Sequence, residues 1–183
     1  MKEIEFWIDK EEVSKMYTAD YWNNIEEDKK KVWWIKDPND GKLMDYLSKS
    51  GLKQEFEIAL ENSKIQGKIL DLAAGTCWTS AIVSRYDSVE EIDAVEFSYH
   101  RINELAPTTI ETLDGNPSKI NRILGSFYNI KRDKEYYDVI ILSQAYHHAE
   151  FPLKLFHECD RVLKKGGYIL IVGEHIIGFK NII

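Results

Sequence analysis

The chain has 183 residues, 44% hydrophobic and 30% charged, which suits one soluble domain with a proper core. Its 31 acidic residues outnumber the 24 lysines and arginines, and a net charge of −7 argues against a protein held on nucleic acid by its overall field. Cys77 and Cys159, the only cysteines, have neither metal-ligand spacing nor the numbers for a disulfide framework, so no metal is expected. No apolar run approaches the ~20 residues that span a bilayer. The start, Met1-Lys2-Glu3-Ile4-Glu5, lacks the basic-then-apolar pattern of a signal peptide, and a cytoplasmic location is expected.

Residues 1–66 read mostly as helices. Asp9-Lys10-Glu11-Glu12 has the spacing of a capping box, and a short helix runs from it toward Tyr17. Thr18 can cap the next helix, which carries Tyr21, Trp22 and Ile25 before the charge run Glu26 to Lys31. Val32-Trp33-Trp34-Ile35 is a compact apolar cluster, ended by the turn signal Asp37-Pro38-Asn39-Asp40-Gly41. Leu43, Met44 and Leu47 suit a helix that stops at Gly51. Leu52, Phe56, Ala59 and Leu60 keep helical spacing into Asn62.

From Gly67 the pattern alternates. Strands are predicted at Lys68–Leu72, Glu91–Glu96, Arg122–Gly125, Tyr137–Ser143 and Tyr168–Gly173. Helical patterns lie between them at Thr79–Ser84, Tyr99–Leu105, Thr108–Leu113 and Leu153–Leu163. Strands separated by helices imply crossovers and a parallel α/β sheet. The fourth and fifth predicted strands are almost continuously apolar, as in strands buried on both faces.

Within this alternation Gly67 to Ser84 is a strand, a tight turn of small residues (Ala73-Ala74-Gly75-Thr76) and a helix start. Small residues admit a ligand close to the backbone, and Asp71 stands at the carboxyl end of the strand, where α/β folds bind ligands. A dinucleotide site wants G-x-G-x-x-G, yet the matching positions are Ala73, Gly75 and Trp78. Trp78 does not suit the close packing that the third glycine serves, which argues against a nicotinamide-dependent oxidoreductase. Glu96 ends the next strand, 21 residues past Gly75, where a carboxylate can accept from both hydroxyls of a ribose. Phe97 beside it can lie against a base or pack in the core.

The stretch Asp71-Leu72-Ala73-Ala74-Gly75-Thr76-Cys77 resembles motif I of the class I S-adenosylmethionine-dependent methyltransferases, roughly Asp/Glu-x-Gly-x-Gly-x-Gly, with Ala73 and Cys77 in place of the outer glycines. The segment from Tyr136 to Gly173 is similar to the same family in its Tyr-Asp at the strand, its His147-His148 pair, its Arg161-Val162-Leu163 helix end and its Gly166-Gly167 turn. The resemblance covers about residues 67–175. It implies a Rossmann-like three-layer sandwich with a mostly parallel sheet, S-adenosyl-L-methionine as cofactor and S-adenosyl-L-homocysteine as product. It implies contacts from Asp71, Ala73, Gly75 and Glu96, and an adenine environment of Phe97, Ser126 and Phe127, where relatives often carry an acid at the place of Ser126. Ser143, Gln144, His147 and His148 then face the transferred methyl group, and the histidines act as a base or shape the pocket. Residues 1–66 form a helical cap on the core at 67–183, with Tyr17, Tyr21, Trp22 and Trp33-Trp34 as lid or core aromatics.

The expected activity is methyl transfer to oxygen or nitrogen of a small molecule, a sugar or another metabolite. A methyltransferase-like scaffold without turnover is the non-enzyme alternative. The family sheet usually has seven strands, and only His175 to Ile183 follow the last one predicted here. Either the chain is a piece of a longer protein, or that strand and the apolar tail are buried by a second copy, and a homodimer through this region is the expectation.

Overall fold

Successive side chains of a strand point to opposite faces, so an apolar run buried on both sides needs a layer of helices on each face. The computed structural model, which describes residues 1–16, 18–31 and 41–174, has this arrangement. In chain order come β1 (Glu5–Phe6), α1 (Lys10–Lys15), α2 (Ala19–Lys31), α3 (Lys42–Lys49), α4 (Leu52–Glu61), β2 (Gly67–Leu72), α5 (Trp78–Val83) and β3 (Val89–Glu96). A π-helical turn at Arg101–Leu105 leads into α6 (Ala106–Thr112), followed by β4 (Ile120–Leu124), β5 (Tyr137–Ser143), a 3-10 turn at Tyr146–His148, α7 (Pro152–Val162) and β6 (Leu163–Val172).

The sheet has the order β1-β4-β3-β2-β5-β6, with every neighbouring pair parallel. One face carries Ile69, Ile92, Ala94, Val139 and Ile141 against Phe56 and Leu60 of α4, Ala81 and Ile82 of α5 and Ile110 of α6. The other carries Leu70, Leu72, Val95, Ile123, Ile140 and Leu142 against Leu155, Cys159 and Val162 of α7. Each large apolar side chain fully buried there contributes about 1.5–3 kcal/mol. From β2 the chain steps outward through β3 to β4, then returns to β5 on the other side of β2. The crevice at the carboxyl ends of β2 and β5 is therefore the topological switch point, where such sheets take ligands.

Several local expectations hold. Asp9 accepts from the Glu12 amide at 2.9 Å, Thr18 Oγ1 accepts from the Tyr21 amide at 3.3 Å, and Gly51 ends α3 in the left-handed region at φ +79°. Strand β1 was not among the predicted elements and is an addition to the mostly helical reading of residues 1–66. Only two of its residues pair with β4, Glu5 opposite Ile123 and Phe6 opposite Leu124. Side chains hold it there: Arg132 reaches Glu5 at 2.8 Å, Arg122 donates to the Lys2 carbonyl at 2.9 Å, and Trp7 is buried against Gly125. Tertiary contacts of this kind leave no periodicity in five residues.

The Gly166-Gly167 pair lies inside β6, where the register against β5 shifts between Tyr137, opposite Leu163, and Val139, opposite Tyr168. Gly166 has φ +82°, and a Cβ on Gly167 would stand 2.7 Å from the Asp138 carbonyl oxygen. Among the described residues β6 is an edge of the sheet, half-exposed along its length, with Ile171 42% exposed. The tail from His175 onward, on which the expected dimer depends, lies outside the described residues, as do Tyr17, Trp33 and Trp34. No helix among the described residues is long and apolar enough to cross a membrane.

Candidate active site

A cavity of about 670 Å³ opens at the carboxyl edge of the sheet, within the range usual for small-molecule sites. Each central strand delivers residues to it. Ala73 to Thr76 follow β2, Glu96 and Phe97 end β3, Gly125 to Tyr128 follow β4, and Ser143, Gln144, His147 and His148 close β5. Leu43, Tyr46 and Leu47 of α3 form a wall.

The turn after β2 has an unusual backbone. Ala73, Gly75 and Cys77 all have positive φ, at 53°, 56° and 62°. These are the three glycine positions of the motif I pattern, and here the conformation survives in two residues that carry a Cβ, at roughly 1–2 kcal/mol each. Gly75 takes it without that penalty, and a Cβ there would meet nothing within 4 Å, because the position opens into the cavity. Cys77 is fully buried at the start of α5, and burial, with Asp71 and Glu96 nearby, pushes its thiol well above the ordinary value. It is not a nucleophile.

Asp71 does not line the cavity, contrary to the direction expected for it. It is 1% exposed. Its Oδ2 accepts from Thr79 Oγ1 at 2.6 Å and from Ser80 Oγ at 2.5 Å. Its parity is that of Ile69, so it faces α5 and ties β2 to the first turn of that helix. Burial pushes its carboxyl up to about 6, against the opposing hydrogen bonds from Ser80 and Thr79.

Glu96 does reach the cavity and is 6% exposed. Its Oε2 accepts from the Gly75 amide at 2.9 Å, and its Oε1 accepts from the Ser98 amide at 2.9 Å. The carboxylate thus locks the turn after β2 to the end of β3. A carboxylate has about four lone-pair sites, so roughly one on each oxygen is left for a ligand.

Beyond Glu96, Phe97 is 66% exposed at the cavity rim and is not a core residue. Ser126 Oγ accepts from the Tyr128 amide at 3.2 Å, and Phe127 packs edge-on against Tyr128 at 4.6 Å between ring centres. Ser143 and Gln144 follow at the end of β5. Gln144 has φ 52°, and its amide donates to the Val172 carbonyl at 2.9 Å. The His147 and His148 rings lie 4.1 Å apart. Burial first, then the positive fields of His147 and Arg101, hold His148 below the usual histidine range. Among the described residues no group of His, Cys, Asp and Glu is suited to hold a metal ion.

Ala73, Gly75, Glu96, Phe97, Ser126, Phe127, Ser143, Gln144, His147 and His148 therefore share one cavity, while Asp71 supports it from behind and Tyr17 lies outside the described residues. Tyr21 and Trp22, the other lid aromatics, pack instead on the segment after β3: Tyr21 Oη accepts from the His100 amide at 3.0 Å, and Trp22 meets Tyr99 and His100 edge-on. Sequence reasoning missed the α3 wall, Arg101, Tyr128 and Glu174. Glu174 was findable by the logic that singled out Glu96, an acid at the carboxyl end of a parallel strand.

Residues 70–171, more than half of the chain, match the methyltransferase domain family. No curated protein matches the sequence. Among solved structures, a candidate S-adenosyl-L-methionine-dependent methyltransferase from Methanococcus maripaludis is 27% identical with a TM-score of 0.61, over 75% of this chain and 64% of that one. A SAM-dependent methyltransferase from Aquifex aeolicus has a TM-score of 0.59 at 20% identity, over 78% of both chains. A candidate methyltransferase from Bacillus halodurans has 0.55 at 24% identity, over 67% of this chain and 50% of its own. The chain thus spans 64% of the first of these and half of the third. The matched segment begins within β2 and ends within β6, taking in the strand ends that feed the cavity, and the chain belongs to the methyltransferase domain family, whose cofactor is S-adenosylmethionine.

Proposed function

We propose that this chain methylates an oxygen or nitrogen atom of a small molecule, a sugar or another metabolite, with S-adenosylmethionine as donor. The observation that carries the reading is Glu96: a nearly buried carboxylate, anchored by two backbone amides, that keeps acceptor capacity on the cavity side. That donor set fits a ribose diol. The open space above Gly75 fits the close passage of the cofactor's methionine part over a turn with no side chain in the way. Ser126, Phe127 and the exposed Phe97 offer a hydroxyl and two aromatic faces for the adenine.

The bound cofactor supplies an electrophilic methyl group on a sulfonium. The residues beyond it have to align an acceptor, keep water out and dispose of a proton. Ser143 and Gln144 border that end of the cavity, and Leu43, Tyr46 and Leu47 give it an apolar wall. His147 and His148 are the proton-handling groups there, and His148, held below the usual histidine range, is neutral near pH 7. Aliphatic and aromatic walls with a few polar groups suit a small acceptor.

Isothermal titration of the full chain with S-adenosylhomocysteine and, separately, with NAD tests the cofactor part. S-adenosylhomocysteine is expected to bind and NAD is not; the reverse result overturns the reading. Incubation with labelled S-adenosylmethionine and pooled sugars, amines and hydroxy acids then tests turnover. Donor binding with no transfer to any small molecule would count against the acceptor class and favour a non-catalytic scaffold.

A further inference from the structure

We propose that the methyl acceptor has a compact apolar body, such as a single aromatic ring, with the accepting oxygen or nitrogen on one side of it, and that it is not a sugar. This rests on the methyltransferase reading above and narrows its acceptor class.

The sheet order fixes the two ends of the cavity. Phe97 follows β3 and Ser126 and Phe127 follow β4, whereas Ser143 and Gln144 close β5, on the other side of β2. The helical hairpin of α3 and α4 belongs to that second side. A Cβ on Gly173, just past β6, would stand 3.3 Å from Leu52 Cδ2 and 3.1 Å from Gln144 Cγ, so the start of α4 sits against the ends of β5 and β6. Further along α4, Phe56 meets the Trp78 ring edge-on at 5.2 Å between ring centres. Gly51 turns the chain from α3 into α4, and α3 lines the cavity at this end.

The α3 wall is apolar because of its sequence. Leu43 and Leu47 share one face of the helix at i and i+4. Leu47 is buried and Leu43 is half-buried. Trp78 and Tyr46 add ring surface to the same lining. Among the described residues, the hydrogen-bonding side chains opposite this wall, Ser143, Gln144 and the histidine pair, come from the β5 loop. An acceptor at this end is thus offered hydrogen bonds on one side and hydrocarbon on the other. An aromatic ring with one hydroxyl or amino group matches both. Its heteroatom turns to the β5 loop, and its body lies against Leu43, Leu47 and Trp78. That contact takes apolar surface of both partners out of water. A sugar carries hydroxyls around its whole ring. Those turned to the wall would leave water and gain no partner, and each unpaired hydroxyl weakens binding.

The test uses the full chain saturated with S-adenosylhomocysteine and two single-ring probes, p-cresol and methyl glucoside. Titration calorimetry gives the two affinities, and assigned ¹H–¹³C spectra of leucine-labelled protein show where each probe lies. p-Cresol is expected to bind and to shift the methyl signals of Leu43 and Leu47, and methyl glucoside is expected to do neither. Leu43→Ser should weaken p-cresol by about tenfold, the loss expected when one apolar side chain leaves the contact, and S-adenosylhomocysteine by a much smaller factor. Methyl glucoside binding more tightly than p-cresol overturns the proposal. So does an absence of p-cresol binding, p-cresol binding that leaves both leucine signals unmoved, or equal p-cresol affinity in a folded Leu43→Ser. The two probes on the unaltered chain decide the matter even where the variant does not fold. Failure of S-adenosylhomocysteine to bind the unaltered chain would instead overturn the methyltransferase reading.

Discussion

Glu96 both holds the turn and, on the reading above, grips a ribose, so a single substitution mixes two effects that have to be separated. In Glu96→Gln the amide can accept from only one of the two backbone donors now bonded to the carboxylate, Gly75 N–H and Ser98 N–H. The other would face an NH2 group. Hydrogen bonds to a charged acceptor are worth about 1.5–3 kcal/mol each, so the variant should lose roughly that much folding stability. Affinity for S-adenosylhomocysteine should fall by at least about tenfold, the equivalent of about 1.4 kcal/mol. A ligand control divides the two causes. If the carboxylate bonds the diol, the 2′-deoxy analogue of S-adenosylhomocysteine binds the unaltered chain more weakly and loses much less on going to Glu96→Gln. If Glu96 acts only by shaping the turn, both ligands lose the same factor. Equal losses in titration calorimetry, or no loss in a variant shown to be folded, would refute the ribose assignment.

The buried Asp71, raised to about 6 from 3.8, holds its proton more tightly folded than unfolded. Its contribution is therefore present at low pH and lost as pH rises from about 4 to about 6, by roughly 3 kcal/mol; urea unfolding of Asp71→Asn should lack this fall, and parallel curves for the two chains would count against it. Ala73→Gly should be neutral to stabilising by up to about 1 kcal/mol, because φ 53° is relieved while unfolded-state entropy rises, whereas Ala73→Leu should abolish S-adenosylhomocysteine binding by filling the cavity floor. Gly167→Ala, with its Cβ 2.7 Å from the Asp138 carbonyl oxygen, should lower stability by about 1–3 kcal/mol through overpacking. Gly166→Ala meets no neighbour within 4 Å at φ +82° and should cost about 1–2 kcal/mol from backbone strain; no loss at either position in thermal unfolding would refute the cause assigned to it.

The alternation of apolar strands and helical patterns after Gly67 was legible because it is local: period two or a continuous run for strands, period near four for helices. The strand ends at Leu72, Glu96 and Ser143 fall where the sequence puts them, since an acid, a small-residue turn or a polar loop interrupts each run. Strand β1 was not legible. Two paired residues carry no pattern, and what keeps them on the sheet is Arg132 and Arg122, more than a hundred residues away in sequence. The extra length of β6 was hidden for another reason. Gly166 and Gly167 read as a turn between elements, yet the stretch stays on the sheet through a register shift that leaves no room for a Cβ on Gly167 beside the Asp138 carbonyl oxygen.

The candidate site divides along the same line. Asp71 and Glu96 look alike as acids at strand ends and share one face of the sheet, yet depth along the strand separates them. Asp71 pairs with Ala94 and meets Thr79 and Ser80 in the interior, while Glu96, two residues beyond Ala94, ends β3 at the cavity and meets the backbone amides of Gly75 and Ser98. Leu72 after Asp71 is the local signal, since an apolar residue that continues the strand past the acid leaves Asp71 within the buried run, whereas Glu96 is the last residue of β3. The proposed acceptor end has no such signal. Leu43, Tyr46 and Leu47 have the spacing of any amphipathic helix, and their role comes from α3 lying over the switch point. Arg101 and Glu174 reach the histidine pair from two different strand ends, one following β3 and one following β6, and it is the sheet order that brings them to β5. On the proposed reading, the acceptor end is written in the packing of distant segments and the cofactor end in one continuous turn and one acid, which is why that half was readable first.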